Sequence, residues 1–556
     1  MRVSNLLYCI CCLWYFATLG QSEEQVGFRS PLDAFQPTIL TAGFGEIRPN
    51  HFHMGLDFRT AGREGLKIRA VERGYIARIV VSPQGYGKVL YVNHPNGITS
   101  VYAHCSDFNT RIDSLVKAIQ IRYTSNEVDV RLAANDIPVE RGEEIAFSGN
   151  TGNSSGPHLH FELRDTESQD ALNPLTHGLY IAMADHQAPK IQTIKLYALN
   201  EDGFAIPGKE LIVRPKNLDT LHVPSHFCSA GGGIGFAIEG TDFTDKSASS
   251  LGLYATEIYC GSELVGGFQL DRISFETTRL VNAHCDHDAF TEQGKRYHKC
   301  FHSSFDPLSI YPMRELGVVA IEPGTIYPIR IKALDAAKNS NELKLVIAVE
   351  QGLKAQAFSY PESFLFPNES SLVVKTNCQI SIPHQSILYP MDLSTQKKET
   401  NSIGYPILNR AIDISFPLPS WNSDHAKYYI EVTMADGKKR FLKTHFNAQG
   451  MQASSTYAGI FTLKIDDKAP LVSALNFVSG QQSAKRNFTW RMKDSETAIR
   501  QYDLVVNGKW VPVYYDSKND ILEFIKPALM IGTLPYRLRV RDWCGNETVL
   551  DGFFVF

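Results

Sequence analysis

Alternation of apolar and polar residues, with turn residues between the runs, dominates the chain from about residue 74 onward. Tyr75 to Val81 and Lys88 to Val92 are rich in β-branched and apolar residues, and Gly74, Gly85, Gly87 and the triplet Pro95, Asn96, Gly97 bound them. Such runs between turn signals predict β-strands joined by short turns. One stretch breaks the pattern. Ile112, Leu115, Val116 and Ile119 fall at i, i+3, i+4 and i+7, the period of an amphipathic helix. A helix is therefore predicted within residues 111–135, before Val128, Val130 and Leu132 alternate as a strand. The β pattern resumes at Gly142 and runs to about Leu179.

A boundary is expected near Asp185 to Pro189. Behind it the sequence echoes itself. Ala188 and Pro189 open one strand-rich segment, and Ala469 and Pro470 open another. The run Ile329 to Asn339 parallels Tyr536 to Asn546. Strand, Asp, short turn, Asn, strand is the pattern of a β-sandwich edge hairpin. The echoes differ in length, so they read as a duplicated domain rather than a solenoid repeat. The residues between them, with Ser371 to Lys375 and Tyr428 to Thr433, read as a further β domain. The expected division is 1–22, 23–186, 187–350 (Ig-like), 351–466 (β-rich) and 467–556 (Ig-like). The fold class is mostly β, an antiparallel front domain with a helical insertion followed by β-sandwich domains.

Composition narrows the function. The net charge is -4 over 556 residues, so no basic field points to nucleic acid and no polybasic run to a membrane surface. Residues 1–22 combine Arg2, an uncharged apolar run from Leu6 to Leu19, and small residues at Thr18, Gly20 and Ser22. That is the pattern of a secretory signal peptide. The run is shorter than the ~20 apolar residues of a membrane span, and no later stretch qualifies, so the mature chain is expected to have no transmembrane span. Without the signal, the cysteines are Cys105, Cys228, Cys260, Cys285, Cys300, Cys378 and Cys544. An odd set cannot pair fully within one chain. Cys285 and Cys300 are spaced to pair across a hairpin, but spacing does not fix connectivity.

Three stretches carry the chemistry: Phe44 to Asp57, Ser100 to His104, and Ser148 to Glu162. Residues two apart on a strand share a face. His53, Gly55 and Asp57 therefore point one way, and so do His158 and His160. Imidazole nitrogen and carboxylate oxygen are good zinc ligands. His53, Asp57, His104, His158 and His160 suffice for three ligands and two spare imidazoles, one of which can carry a proton to a leaving amine. Each spacing alone is weak: an isolated His-x-His pair is more often structural. His51 has the same parity as His53. The Gly149 to Gly156 loop lacks the lysine of a phosphate-binding loop and reads as the segment that sets up His158 and His160.

Together the stretches are more specific. His53-x(3)-Asp57, Tyr102-x-His104, the block from Gly149 to Glu162 and the closing Asn173, Pro174, Leu175 occur in the order found in the lysostaphin/LytM-type zinc endopeptidase family, which residues 40 to 180 closely resemble. The resemblance implies His53, Asp57 and His160 as ligands of one zinc per chain, and His104 and His158 as catalytic histidines. It leaves His51 as a flanking residue, and Arg48 and Asn50 are expected to shape the groove. His94 reads as structural and Cys105 as a core thiol. The implied substrate is the stem or cross-link peptide of peptidoglycan, in the periplasm or cell envelope. The multi-domain arrangement resembles that of large members of the family in Bacteroidetes-type bacteria, with the β domains behind positioning the enzyme or binding envelope partners. Two other classes are carried: a non-catalytic activator of another hydrolase, and an envelope scaffold with a vestigial front domain. The helical insertion after His104 is either a wall of the substrate groove or a surface elaboration. His284, Cys285, His298 and His302 contain enough donors for a second metal, but no Cys-x(2)-Cys knuckle, and ordinary hairpin polarity explains them equally well.

Overall fold

The computed structural model describes residues 27–556 except 34–38, 180–184, 217–218, 229–230, 246–248, 314, 395–399, 419–423 and 449. The expected signal peptide lies outside the described residues. No helix among the described residues is long and apolar enough to cross a membrane.

The front of the chain is an antiparallel sheet. Its strands are β1 (Leu40–Ala42), β2 (Leu56–Arg59), β3 (Gly74–Val81), β4 (Lys88–Asn93), β5 (Ile98–Cys105), β6 (Val128–Arg131) and β7 (His158–Asp165). Their order across the sheet is β1-β2-β7-β5-β4-β3-β6. Strand β7 lies between β2 and β5, with His160 opposite both Asp57 and Ala103. Strict alternation along β7 divides its chemistry. Leu159, Phe161 and Leu163 enter the apolar core, which leaves His158, His160, Glu162 and Arg164 on the other face.

The predicted helix is α1 (Thr110–Tyr123). Asn109 caps it, its side chain accepting the Ile112 N–H at 3.0 Å, and Thr124 ends it in a left-handed conformation. Ile112 and Val116 are the buried apolar positions, in accord with the helical period. Strand β6 follows where the alternation placed it.

Behind the front sheet the chain is a series of paired sheets. The first pair includes β8 (Lys190–Leu199), β9 (Gly233–Phe243) and the hairpin of β10 (Ile326–Leu334) with β11 (Ser340–Val349). The middle pair encloses a core of Ile380, Ile412, Ile414, Ile430 and Phe461. The last pair has β12 (Asn487–Lys493) in one sheet and β13 (Ile499–Val506), β14 (Thr533–Asp542) and β15 (Glu547–Val555) in the other. Trp490 and Phe488 from the first of these sheets pack with Leu504, Leu538 and Val540 from the second.

The change of pattern near Asp185 is not a break in packing. Ala171–Leu172 pairs with Arg272–Ile273 across it. A single apolar cluster holds Phe161 and Leu172 together with Ile194, Phe236 and Phe268. Cys285 and Cys300 are both buried free thiols, so the pairing suggested by their spacing is not formed.

Candidate metal centre

Strand β2 carries Asp57 and strand β7 carries His158 and His160, while His53 precedes β2. Gly55 lets the strands approach: a Cβ there would sit 2.3 Å from the Phe161 carbonyl oxygen. The result is a compact group. His53 Nε2 lies 3.1 Å from Asp57 Oδ1 and 3.1 Å from His160 Nδ1. His160 Nδ1 lies 2.9 Å from Asp57 Oδ1. These three side chains form a group able to hold a metal ion.

The far side of each ring fixes its tautomer. His53 Nδ1 faces the Gly43 carbonyl at 2.6 Å, and His160 Nε2 faces a Glu162 oxygen at 2.9 Å. Both partners only accept, so both nitrogens carry hydrogen. The two lone pairs and the Asp57 carboxylate then converge with no hydrogen of their own to place between them. Only a cation resolves that arrangement. A proton is one: burial opposes it, but hydrogen bonds to Asp57 and Glu162 outweigh burial and lift His160 to about 9. Burial likewise opposes ionisation of Asp57, yet the charge of His53 and its bonds to His160 and His53 carry it well below the carboxylate range. A metal is the other cation. Two imidazole nitrogens and one carboxylate oxygen, with outer nitrogens anchored by acceptors, are a donor set that suits zinc.

Glu162 is fully buried. It accepts from His160, from Arg164 at 2.6 Å, and from the Tyr86 hydroxyl. Burial would raise its pKa, but Arg164 and His160 hold it down at about 2. Tyr86 also stacks on the His160 ring with centroids 5.3 Å apart. Sequence reasoning assigned no role to Tyr86, Glu162 or Arg164. The signal for two of them was present, since His160, Glu162 and Arg164 share strand parity.

His104 reaches the centre by a different route. Simple alternation would send it to the core side with Tyr102. Instead Tyr102 and Cys105 are both in the core, and His104 has φ 60. The register against β4 shifts at this point, so β5 carries a bulge that re-aims one side chain. The His104 ring lies 4.8 Å from that of His158 and 5.9 Å from that of His160. Its Nδ1–H donates to the Thr151 carbonyl at 2.8 Å. Burial, then the charges of His160 and His158, push its pKa down to about 3, which leaves a neutral ring with Nε2 free to accept. His158 Nδ1–H donates to the Gly156 carbonyl at 2.8 Å, and its Nε2 lies 3.6 Å from Asp57 Oδ1. All five singled-out residues therefore meet in one place.

The other candidates fall outside it. His51 is exposed, with Nδ1 on the Pro49 carbonyl. His94 is buried between the Arg73 carbonyl and the Ser100 hydroxyl. Asn50 accepts from Asn282, and Arg48 pairs with Glu46. His284 and His298 bond to each other at 2.9 Å beside Phe268, a buried pair outside the metal-holding groups among the described residues.

His53, Asp57 and His160 thus form a group able to hold a metal ion at an antiparallel sheet, with His104 and His158 beside it. Residues 51–122 and 119–174 match the model of peptidase family M23, and the chain carries a domain of that family. An uncharacterized metalloprotease of Haemophilus influenzae is 35% identical over 154 residues, 28% of this chain and 26% of its own length. The DD-carboxypeptidase/endopeptidase Mpg of Neisseria meningitidis serogroup B is 31% identical over 185 residues, 32% of this chain and 36% of its own. The chain thus spans about a quarter to a third of these curated relatives. Among solved structures, the catalytic domain of lysostaphin from Staphylococcus simulans is 25% identical over 25% of this chain and 90% of its own, with a TM-score of 0.19.

Proposed function

We propose that the chain is a zinc-dependent metalloendopeptidase of the periplasm or cell envelope, hydrolysing peptide bonds in peptidoglycan stem or cross-link peptides. His53, Asp57 and His160 hold one zinc, and His104 and His158 are the catalytic histidines. The observation that carries this reading is the convergence of two imidazole lone pairs and a carboxylate beside two neutral-capable imidazoles whose outer nitrogens are already committed. The Neisseria meningitidis relative is named as a DD-carboxypeptidase/endopeptidase, which points to the same bond type.

A bound zinc supplies a Lewis acid and a water whose pKa is lowered to about 7. His104 and His158 each present Nε2 to the centre, held by a backbone carbonyl on the opposite nitrogen. A neutral imidazole so oriented takes a proton from the attacking water and delivers it to the leaving amine. Glu162 and Gly43 keep the ligand rings from rotating. The β domains behind serve to hold the enzyme on the wall or on envelope partners.

Digestion of purified sacculi, with released muropeptides identified by mass, tests the proposal. The native protein should release cleaved stem or cross-link peptides. His53→Ala should lose both zinc and activity. His104→Ala and His158→Ala should keep zinc and lose activity by about 10²- to 10⁴-fold. A zinc-loaded native protein that releases nothing from sacculi would overturn the assignment of substrate.

A further inference from the structure

Outside the metal centre, two groups of three aspartates stand at matching places in the duplicated units. Asp185, Asp242 and Asp335 form one, and Asp466, Asp494 and Asp542 the other, with ligand oxygens within 4.8 Å of one another in each. The correspondence extends to individual hydrogen bonds. Asp185 and Asp466 stand three residues ahead of the Ala-Pro pair that opens each unit. Each accepts the backbone N–H two residues on, of Gln187 and Lys468. Asp335 directly follows β10 and Asp542 is the last residue of β14, each where its hairpin (β10–β11 or β14–β15) begins to turn. Each accepts the backbone N–H and side-chain amide of the asparagine four residues later, Asn339 or Asn546. The same asparagine amide donates to the main-chain carbonyl of Asp185 or Asp466 at 3.0 Å.

These bonds fix the carboxylates but do not neutralise them. None of the six forms an ion pair among the described residues. Asp242 is 4% exposed, and its Oδ1 has no hydrogen-bond partner among the described residues. In the second group Asp494 is half-buried, with Oδ2 shielded from solvent and without a hydrogen-bond partner among the described residues, while its Oδ1 already accepts three backbone N–H groups. Asp242 is buried beside two other carboxylates, Asp185 and Asp335, and a carboxylate so placed calls for a compensating charge. Burial, then the charges of Asp335 and Asp185, push Asp242 up to about 7.

From this repeated geometry we infer that each duplicated unit binds a calcium ion, one through Asp185, Asp242 and Asp335 and the other through Asp466, Asp494 and Asp542. The donors are all oxygens, which favours a hard cation, and calcium accepts several carboxylates in flexible geometry. Both sites sit at the entrance of a unit, where the chain arrives from the preceding domain. At the second, Asp466 N–H also bonds the Lys427 carbonyl of that domain. A cation there ties the incoming chain to the closing hairpin of the unit.

Equilibrium dialysis of the zinc-loaded full chain against about 1 mM calcium, the range of extracellular modules, tests the inference. The native protein should bind one calcium at each group. Asp242→Asn and Asp494→Asn should each abolish binding at one group, and the double variant at both, with zinc content unchanged. Unfolding in calcium-free buffer keeps the test independent of folding defects: each asparagine variant should melt no lower than the native protein there, and calcium should raise the melting temperature of the native protein more than that of either variant. Absence of calcium binding by the native protein, or binding unaltered in the double variant, would overturn the inference.

Discussion

The Tyr514 hydroxyl, in the last domain, accepts the backbone N–H of Gly152 at 3.3 Å. Gly152 belongs to the loop whose Thr151 carbonyl receives the Nδ1–H of His104. Lys518 donates to the Asn150 carbonyl of the same loop, and the Lys88 ammonium lies 5.4 Å from the centre of the Tyr514 ring. On its other side the loop is pressed on the turn before β4, where a Cβ on Gly152 would meet the Gly85 carbonyl oxygen at 2.4 Å. The insertion after His104 joins this contact. Asn126, just beyond α1, donates to the Tyr502 carbonyl at 2.7 Å and accepts the Val513 N–H at 2.9 Å. In this structure the insertion is the seat of the last domain.

The loop is thus held from both sides, and its position sets that of His104. Misplacing a reacting group by about 1 Å costs up to about 10²-fold in rate. Tyr514→Ala should therefore lower kcat on a peptide substrate by about tenfold while leaving zinc content and KM nearly unchanged. Asn126→Ala should act in the same direction and increase amide hydrogen exchange in the 149–156 loop. A kcat equal to that of the native protein in both variants would show that the last domain does not position this loop.

Much of the front domain was legible in sequence because its physics is local. The helical period of Ile112, Leu115, Val116 and Ile119, and the strand parity of His158 and His160, are properties of adjacent residues, and both are found as read. His104 was placed by its resemblance to a motif, not by parity. The bulge that turns it toward the centre depends on a left-handed φ at a non-glycine residue, which tertiary contacts enforce and alternation does not reveal. The common core of the front sheet and the unit behind it was equally hidden. The pairing of Ala171–Leu172 with Arg272–Ile273 joins segments about a hundred residues apart. The duplicated hairpin turns were visible, but their aspartates became a cluster only when Asp242 and Asp494, unmarked in the sequence, were brought beside them.

Metal binding should be linked to pH through His160. Its pKa in the metal-free fold, about 9, stands above the ordinary 6.5 because the bonds to Asp57 and Glu162 outweigh burial. A proton on His160 competes with zinc for Nδ1. Apparent zinc affinity should therefore rise by up to about tenfold per pH unit as pH climbs toward 9 and level off above it. The sign for stability is opposite in the metal-free protein. A raised folded-state pKa contributes stability that is fully present below 6.5 and lost as pH rises through about 9. Chelator-competition titrations at several pH values, beside thermal melts of the zinc-free protein, check both slopes. A zinc affinity flat between pH 6.5 and 9 would contradict the assignment of His160 as a ligand.

Glu162 links the metal group to the rest of the fold, and its substitution separates two effects. Glu162→Gln keeps the shape but removes the charge that His160, Arg164 and Tyr86 share. Loss of a carboxylate behind a ligating histidine typically weakens metal binding by about 10- to 100-fold. It also leaves the Arg164 guanidinium, itself buried, without its ion-pair partner. Leaving such a charge unpaired costs about 3–5 kcal/mol, although the rings of Phe275 and Tyr91 lie 4.0 and 5.4 Å from the guanidinium carbon and offset part of that. The double variant Glu162→Gln with Arg164→Met removes the stranded charge. It should recover most of the lost stability in denaturant titrations while zinc affinity stays reduced. Recovery of zinc affinity along with stability would mean that Glu162 supports the metal group only by holding the fold together, and not by anchoring the His160 ring.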